Sequence, residues 1–136
     1  PPSVSSRNKM IKTAANAQTD QLTIRDTIVR GDSWLGARLV VTDDADPQRD
    51  FDGTTARWAL YDATGETLLL EPLPVNATSI GQCAIEIALS RSFTAALSTS
   101  RIRGEIEFNF PQAIGGATTC MTPFLLSLAV QTDRLE

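Results

Sequence analysis

A chain of 136 residues fits a single domain, and folding at that length buries roughly two-thirds of the unfolded surface. It is 42% hydrophobic and carries 12 basic and 16 acidic side chains, a net charge of −4 that argues against a nucleic-acid surface. It contains no histidine and two cysteines, which removes the commonest general base, every Ser-His or Cys-His pair and a thiolate zinc site.

No apolar run reaches the roughly 18 residues of a membrane-spanning helix. The first residues, "PPSVSSRNKM", lack the charged and apolar regions of a signal peptide. A chain beginning at Pro1 fits removal of an initiator Met, so synthesis in a cytoplasm is expected. Residues 1–19 hold Arg7, Lys9 and Lys12 and no acid, which leaves 9 basic and 16 acidic groups in the remainder. Residues 1–20 have no hydrophobic period and read as an extended arm without a core of its own, either a disordered tail or an arm that orders on a neighbouring subunit. A basic arm on an acidic body suits docking against a like-built neighbour.

From Leu22 the pattern has period 2, the mark of half-buried strands. "QLTIR" puts Leu22 and Ile24 on one face. "WLGARLVVT" sets Leu35, Ala37, Leu39 and Val41 against Trp34, Gly36, Arg38 and Val40. "TTARWALYD" groups Ala56, Trp58 and Leu60, with Trp58 expected in the core. "CAIEIAL" turns Ile85, Ile87 and Leu89 inward. "RGEIEFNF" sets Ile106, Phe108 and Phe110 against Glu105, Glu107 and Asn109. "FLLSLAV" closes with Phe124, Leu126, Leu128 and Val130. These runs predict antiparallel sheets. Asp62 to Gly65 predicts a short hairpin, and residues 111–119 a longer hairpin loop. "SRSFTAALS" breaks the alternation: Phe93, Ala96 and Leu97 have helical spacing and Ser90 is a candidate N-cap. The sum predicts an all-β, immunoglobulin-like sandwich over residues 21–136 with one short crossover helix.

No group of residues assembles a nucleophile, a base and an oxyanion hole. A non-enzymatic protein is therefore expected, with no cofactor and no catalytic or metal site. Arg30-Gly31-Asp32 matches the tripeptide of cell-adhesion ligands, but Gly-Asp between two strands is good turn chemistry, and a turn is expected. Asp43, Asp44, Asp46, Asp50 and Asp52 form either a solvated turn or a weak calcium site. Phe51 among them reads as a plug under the sandwich edge. Cys83 and Cys120 either pair, closing a loop worth about 3–4 kcal/mol, or stay reduced as cytoplasmic thiols do. Reduced thiols are expected. Asn76-Ala77-Thr78 is a formal sequon without a secretory context. Glu105 and Glu107 read as a solvated strand face.

Several phrases, in order, resemble a family of small immunoglobulin-like domains from tailed bacteriophages and prophages, among them the N-terminal domains of phage baseplate upper proteins. They are Arg30-Gly31-Asp32-Ser33-Trp34, Asp50 to Ala56 before the Trp58 strand, Asp62 to Gly65, and Leu89-Ser90 leading to Thr94-Ala95-Ala96-Leu97. The resemblance spans residues 22–132. It departs at "DFDG", at the long arm and at "RIRGEIEF".

It implies a structural virion protein of the tail, baseplate or fibre region, assembled in the host bacterial cytoplasm. Expected partners are other virion proteins and copies of itself, with neither nucleic acid nor membrane. Arg7, Lys9, Lys12, Leu22 and Ile24 are the expected partner-binding residues. The alternatives are a head decoration protein, or a carbohydrate- or receptor-binding module using Trp34, Trp58 or Tyr61.

Overall fold

The computed structural model describes residues 10–17, 21–77, 81–114 and 118–131. Nine strands and one helical turn follow in order: β1 (Ile11–Asn16), β2 (Leu22–Val29), β3 (Trp34–Thr42), β4 (Thr55–Tyr61), β5 (Thr67–Leu73), β6 (Asn76–Ala77), β7 (Cys83–Leu89), α1 (Arg91–Ala95), β8 (Arg101–Ile114) and β9 (Thr118–Gln131). One sheet has the order β1-β3-β7-β6 and the other β2-β9-β8-β4-β5. Their inner faces pack as the expected all-β, immunoglobulin-like sandwich.

The sheets are mixed rather than wholly antiparallel. β1 runs parallel to β3, and β2 runs parallel to β9. The two N-terminal strands thus edge opposite sheets. Residues 11–16, read from sequence as part of a coreless arm, form a strand whose Ala15 lies in the core, as does Ala17 just beyond it. The two small alanines gave no amphipathic signal, because a methyl group is enough where an edge strand meets the core. Residues 1–9 lie outside the described residues.

Alternation holds where it was read on β4, β7, β8 and β9: Trp58, Ile85, Ile87, Ile106, Phe108, Phe124 and Leu126 are buried. It fails at the start of β3. Trp34 is 5% exposed and Leu35 40% exposed, the reverse of the period-2 assignment. A register shift between Trp34 and Ala37 explains it. Gly36 takes φ +78°, and this bulge puts Trp34 on the same side as Ala37, Leu39 and Val41. The loop expected over residues 111–119 is also shorter. β8 runs to Ile114 and pairs there with Thr118.

The core centres on aromatic rings. Phe108 and Phe110, two apart on β8, stack at 5.9 Å; Phe51 meets Phe110 edge-on at 5.8 Å; and Phe124 lies 6.4 Å from Phe108. Phe51 is fully buried, as expected of a plug. Trp58 is buried with its indole N–H donating to Glu71 at 3.1 Å, which satisfies the one polar atom that its burial would strand.

Gly36 and Gly65 separate two costs of a side chain. A Cβ at Gly36 would lie 1.6 Å from the Ile87 carbonyl oxygen, whereas one at Gly65, φ +90°, would meet nothing within 4 Å. Gly65→Ala is expected to cost about 1–2 kcal/mol, the price of the left-handed backbone alone. Gly36→Ala is expected to cost about 4 kcal/mol or more, because the β3–β7 ladder must also part. Urea unfolding of the two variants measures the difference.

Candidate functional site

The Arg30–Asp32 segment joins β2 of one sheet to β3 of the other. It must reverse within a few residues without stranding its backbone. Asp32 N–H donates to Val29 O at 3.0 Å, and Arg30 N–H donates to Gln131 O at 2.8 Å, which extends the β2–β9 ladder by one bond. Gly31 takes φ +89°.

The turn is then pinned to α1, more than 60 residues on. Thr94 is fully buried; its hydroxyl donates to Asp32 O at 2.7 Å and accepts from Gly31 N–H at 3.2 Å. Arg91 Nε donates to Gly31 O at 3.1 Å. Ser90 caps α1 as expected, accepting from Phe93 N–H at 3.2 Å. The Trp34 indole Nε1–H donates to the Asp26 carboxylate at 2.9 Å and holds the ring down. Arg30 is half-buried, and its Nε makes no hydrogen bond among the described residues. The triplet is thus an anchored inter-sheet turn, as its composition predicts.

The acidic loop divides into two kinds of carboxylate. Asp43 is buried and forms an ion pair with Arg49 at 2.8 Å, while also accepting from Ala45 N–H. Such a pair fixes the loop, because loss of either partner leaves a buried charge. Asp44, Asp46, Asp50 and Asp52 are exposed, and Asp46 and Asp50 accept from the local N–H groups of Gln48 and Asp52. Among the described residues no three His, Cys, Asp or Glu side chains are placed to hold a metal ion.

Asp62 organises its hairpin by accepting from Thr64 Oγ1, Thr64 N–H and Glu66 N–H. The Thr64 hydroxyl chief among these, the bonds hold its carboxyl below the usual carboxylate range. Cys83 and Cys120 are not joined in a disulfide. Burial pushes Cys83 up to about 12; partial desolvation and the neighbouring Glu107 raise exposed Cys120.

Of the expected partner-binding residues, Lys12 lies on β1 of one sheet and Leu22 and Ile24 on β2 of the other. Arg7 and Lys9 lie outside the described residues. Lys12 is exposed on β1, Leu22 is half-buried on β2, and Ile24 is a core residue. Ile24 packs into the chain's own core, and the alternation that made it conspicuous is its burial signal. Both tryptophans are in the core and Tyr61 is half-buried, so neither tryptophan offers a ring face for a sugar. The outer face of the five-stranded sheet is better furnished than the residues chosen from sequence. Arg101, Arg103, Glu105 and Glu107 all point outward from β8, and Arg57 pairs with Glu107 at 2.9 Å. The shallow hollows on this face hold about 380 and 150 Å³.

No protein-family model matches the sequence, and no curated protein matches it. Among solved structures, the N-terminal domain of phage TP901-1 ORF48 is similar to this chain, with a TM-score of 0.49 and 12% identity over 90% of this chain and 98% of that one.

Replacing Thr94 by Val keeps the shape and removes the hydroxyl that bridges Gly31 and Asp32. It is expected to lower stability by about 1–3 kcal/mol, the cost of buried polar groups left unpaired. Chemical denaturation reads this, and a loss below about 0.5 kcal/mol would mean that the turn holds without the bridge.

Proposed function

We propose that this chain is a non-enzymatic structural protein of a tailed-phage virion, in the tail, baseplate or fibre region, working by subunit assembly. The observation that carries the reading is where the resembling phrases fall. Arg30 to Trp34 makes the turn pinned by Thr94; Asp50 to Ala56 delivers the Phe51 plug; Asp62 to Gly65 makes the Asx-bonded hairpin; Leu89 to Leu97 makes the capped crossover. The phrases occupy successive corners of one sandwich. They are the positions that a shared fold would restrict.

The chemistry is compatible with that role. Assembly subunits need a rigid body, complementary surfaces and many copies, which multiply weak contacts into a firm particle. A chain without histidine is poorly equipped for acid–base work near neutral pH. The basic N-terminal residues Arg7 and Lys9 supply an electrostatic handle toward an acidic neighbour.

The arm is tested by truncation. Because Ala15 and Ala17 belong to the core, the cut must stop short of β1. Deleting residues 1–9 is expected to leave the sandwich folded, by circular dichroism and an unchanged unfolding midpoint. It should reduce incorporation into gradient-purified particles, by quantitative mass spectrometry, about tenfold or more if several basic contacts act together. Normal incorporation of the truncated chain would refute the arm's role.

A further inference from the structure

We propose that the outer face of the five-stranded sheet is a two-fold interface with a second copy of this chain, centred on Gly104 of β8. The proposal rests on the reading of the chain as an assembly subunit and names one partner for it.

In "RIRGEIE" the odd positions are Arg101, Arg103, Glu105 and Glu107. Ile102, Gly104 and Ile106 face the core, so the four charged side chains line the outer face about 6.8 Å apart. The order along the strand is plus, plus, minus, minus, and its midpoint is Gly104.

β8 is the middle strand of five. A two-fold axis lying between two such faces, across the strands at Gly104, reverses the strand direction of the second copy. Arg103 then lies over Glu105 of that copy, Glu105 over its Arg103, and the outer charges exchange in the same way. Such self-complementarity is what an isologous interface requires. Packed sheets cross at about 30°. At about 3.4 Å from the axis this displaces opposing residues by only about 2 Å, so the two inner pairs keep their register while the outer pairs loosen.

Within one copy the inner charges are unspent. Glu107 is held by Arg57 at 2.9 Å and Arg101 donates to Ser127 at 2.8 Å. Arg103 and Glu105 take part in no ion pair among the described residues. Beside them, half-buried Leu125 and Tyr61 and 61%-exposed Leu70 supply apolar area. Five strands at about 4.8 Å and seven residues at about 3.4 Å span about 24 by 20 Å, or about 1,000 Å² over both copies. That is the lower end of specific interfaces, so the dimer is a weak one that repetition in a particle would reinforce.

Charge exchange tests this on the purified full chain by sedimentation equilibrium. The unaltered chain is expected to show a reversible monomer–dimer equilibrium. Arg103→Glu and Glu105→Arg should each weaken it about tenfold or more through like-charge contact. The double variant R103E/E105R should restore it, and an equimolar mixture of the two single variants should dimerise with each other. All substituted side chains are exposed, and circular dichroism checks that each variant folds. A chain monomeric at its solubility limit, a dimer indifferent to the single changes, or a failure of both rescues would overturn the proposal. Any of these would leave incorporation into particles, measured separately, as the judge of the assembly role.

Discussion

A sandwich in which the chain repeatedly changes sheet must satisfy its backbone at each crossing. Of the eight connections between successive strands among the described residues, five pass from one sheet to the other. Water cannot complete the hydrogen bonds of a crossing packed against the core, so side chains must. The buried Thr94 hydroxyl does this for the β2–β3 crossing while sitting on the helical turn of the β7–β8 crossing. Two crossings at one end of the molecule are thus fastened by one oxygen. The β3–β4 crossing has its own pair, buried Asp43 with Arg49, and its own plug, Phe51 against Phe110. With the corners fixed, the aromatic column of Phe108, Phe110 and Phe124 packs between faces whose separation is already set.

Much of this was legible in the amino-acid order because strand burial has a local period. Ile85, Ile87, Ile106, Phe108, Phe124 and Leu126 announce themselves by alternation. The Asp62 hairpin and the Ser90 cap announce themselves by turn and cap chemistry. What escaped has a common cause. β1 is recruited by parallel pairing with β3, a long-range event that needs no amphipathic pattern of its own. The bulge at Gly36 exchanges Trp34 for Leu35, and a one-residue slip reverses every assignment upstream of it. Asp43 read as one of five solvated acids, because its partner Arg49 became significant only once the loop closed. Ile24 read as a contact residue for the same reason that makes it a core residue.

The candidate surface was legible in part. The alternation in "RGEIEFNF" identified Glu105 and Glu107 as a solvated face, but their partners in the pattern, Arg101 and Arg103, gain meaning only from the topology. The central place of β8 turns a run of four charges into the middle of a five-stranded face. The same stretch is where the sequence departs from the phage-domain pattern it otherwise resembles. A conserved body with a variable face is the division that the proposed assembly role would require.

The central claim is that this chain is a building part of a tailed-phage particle. Antibody labelling of purified, intact particles under the electron microscope tests it most directly. The account predicts label concentrated at the tail or baseplate end. Particles that carry no label, while the soluble chain is recognised by the same antibody, would contradict it.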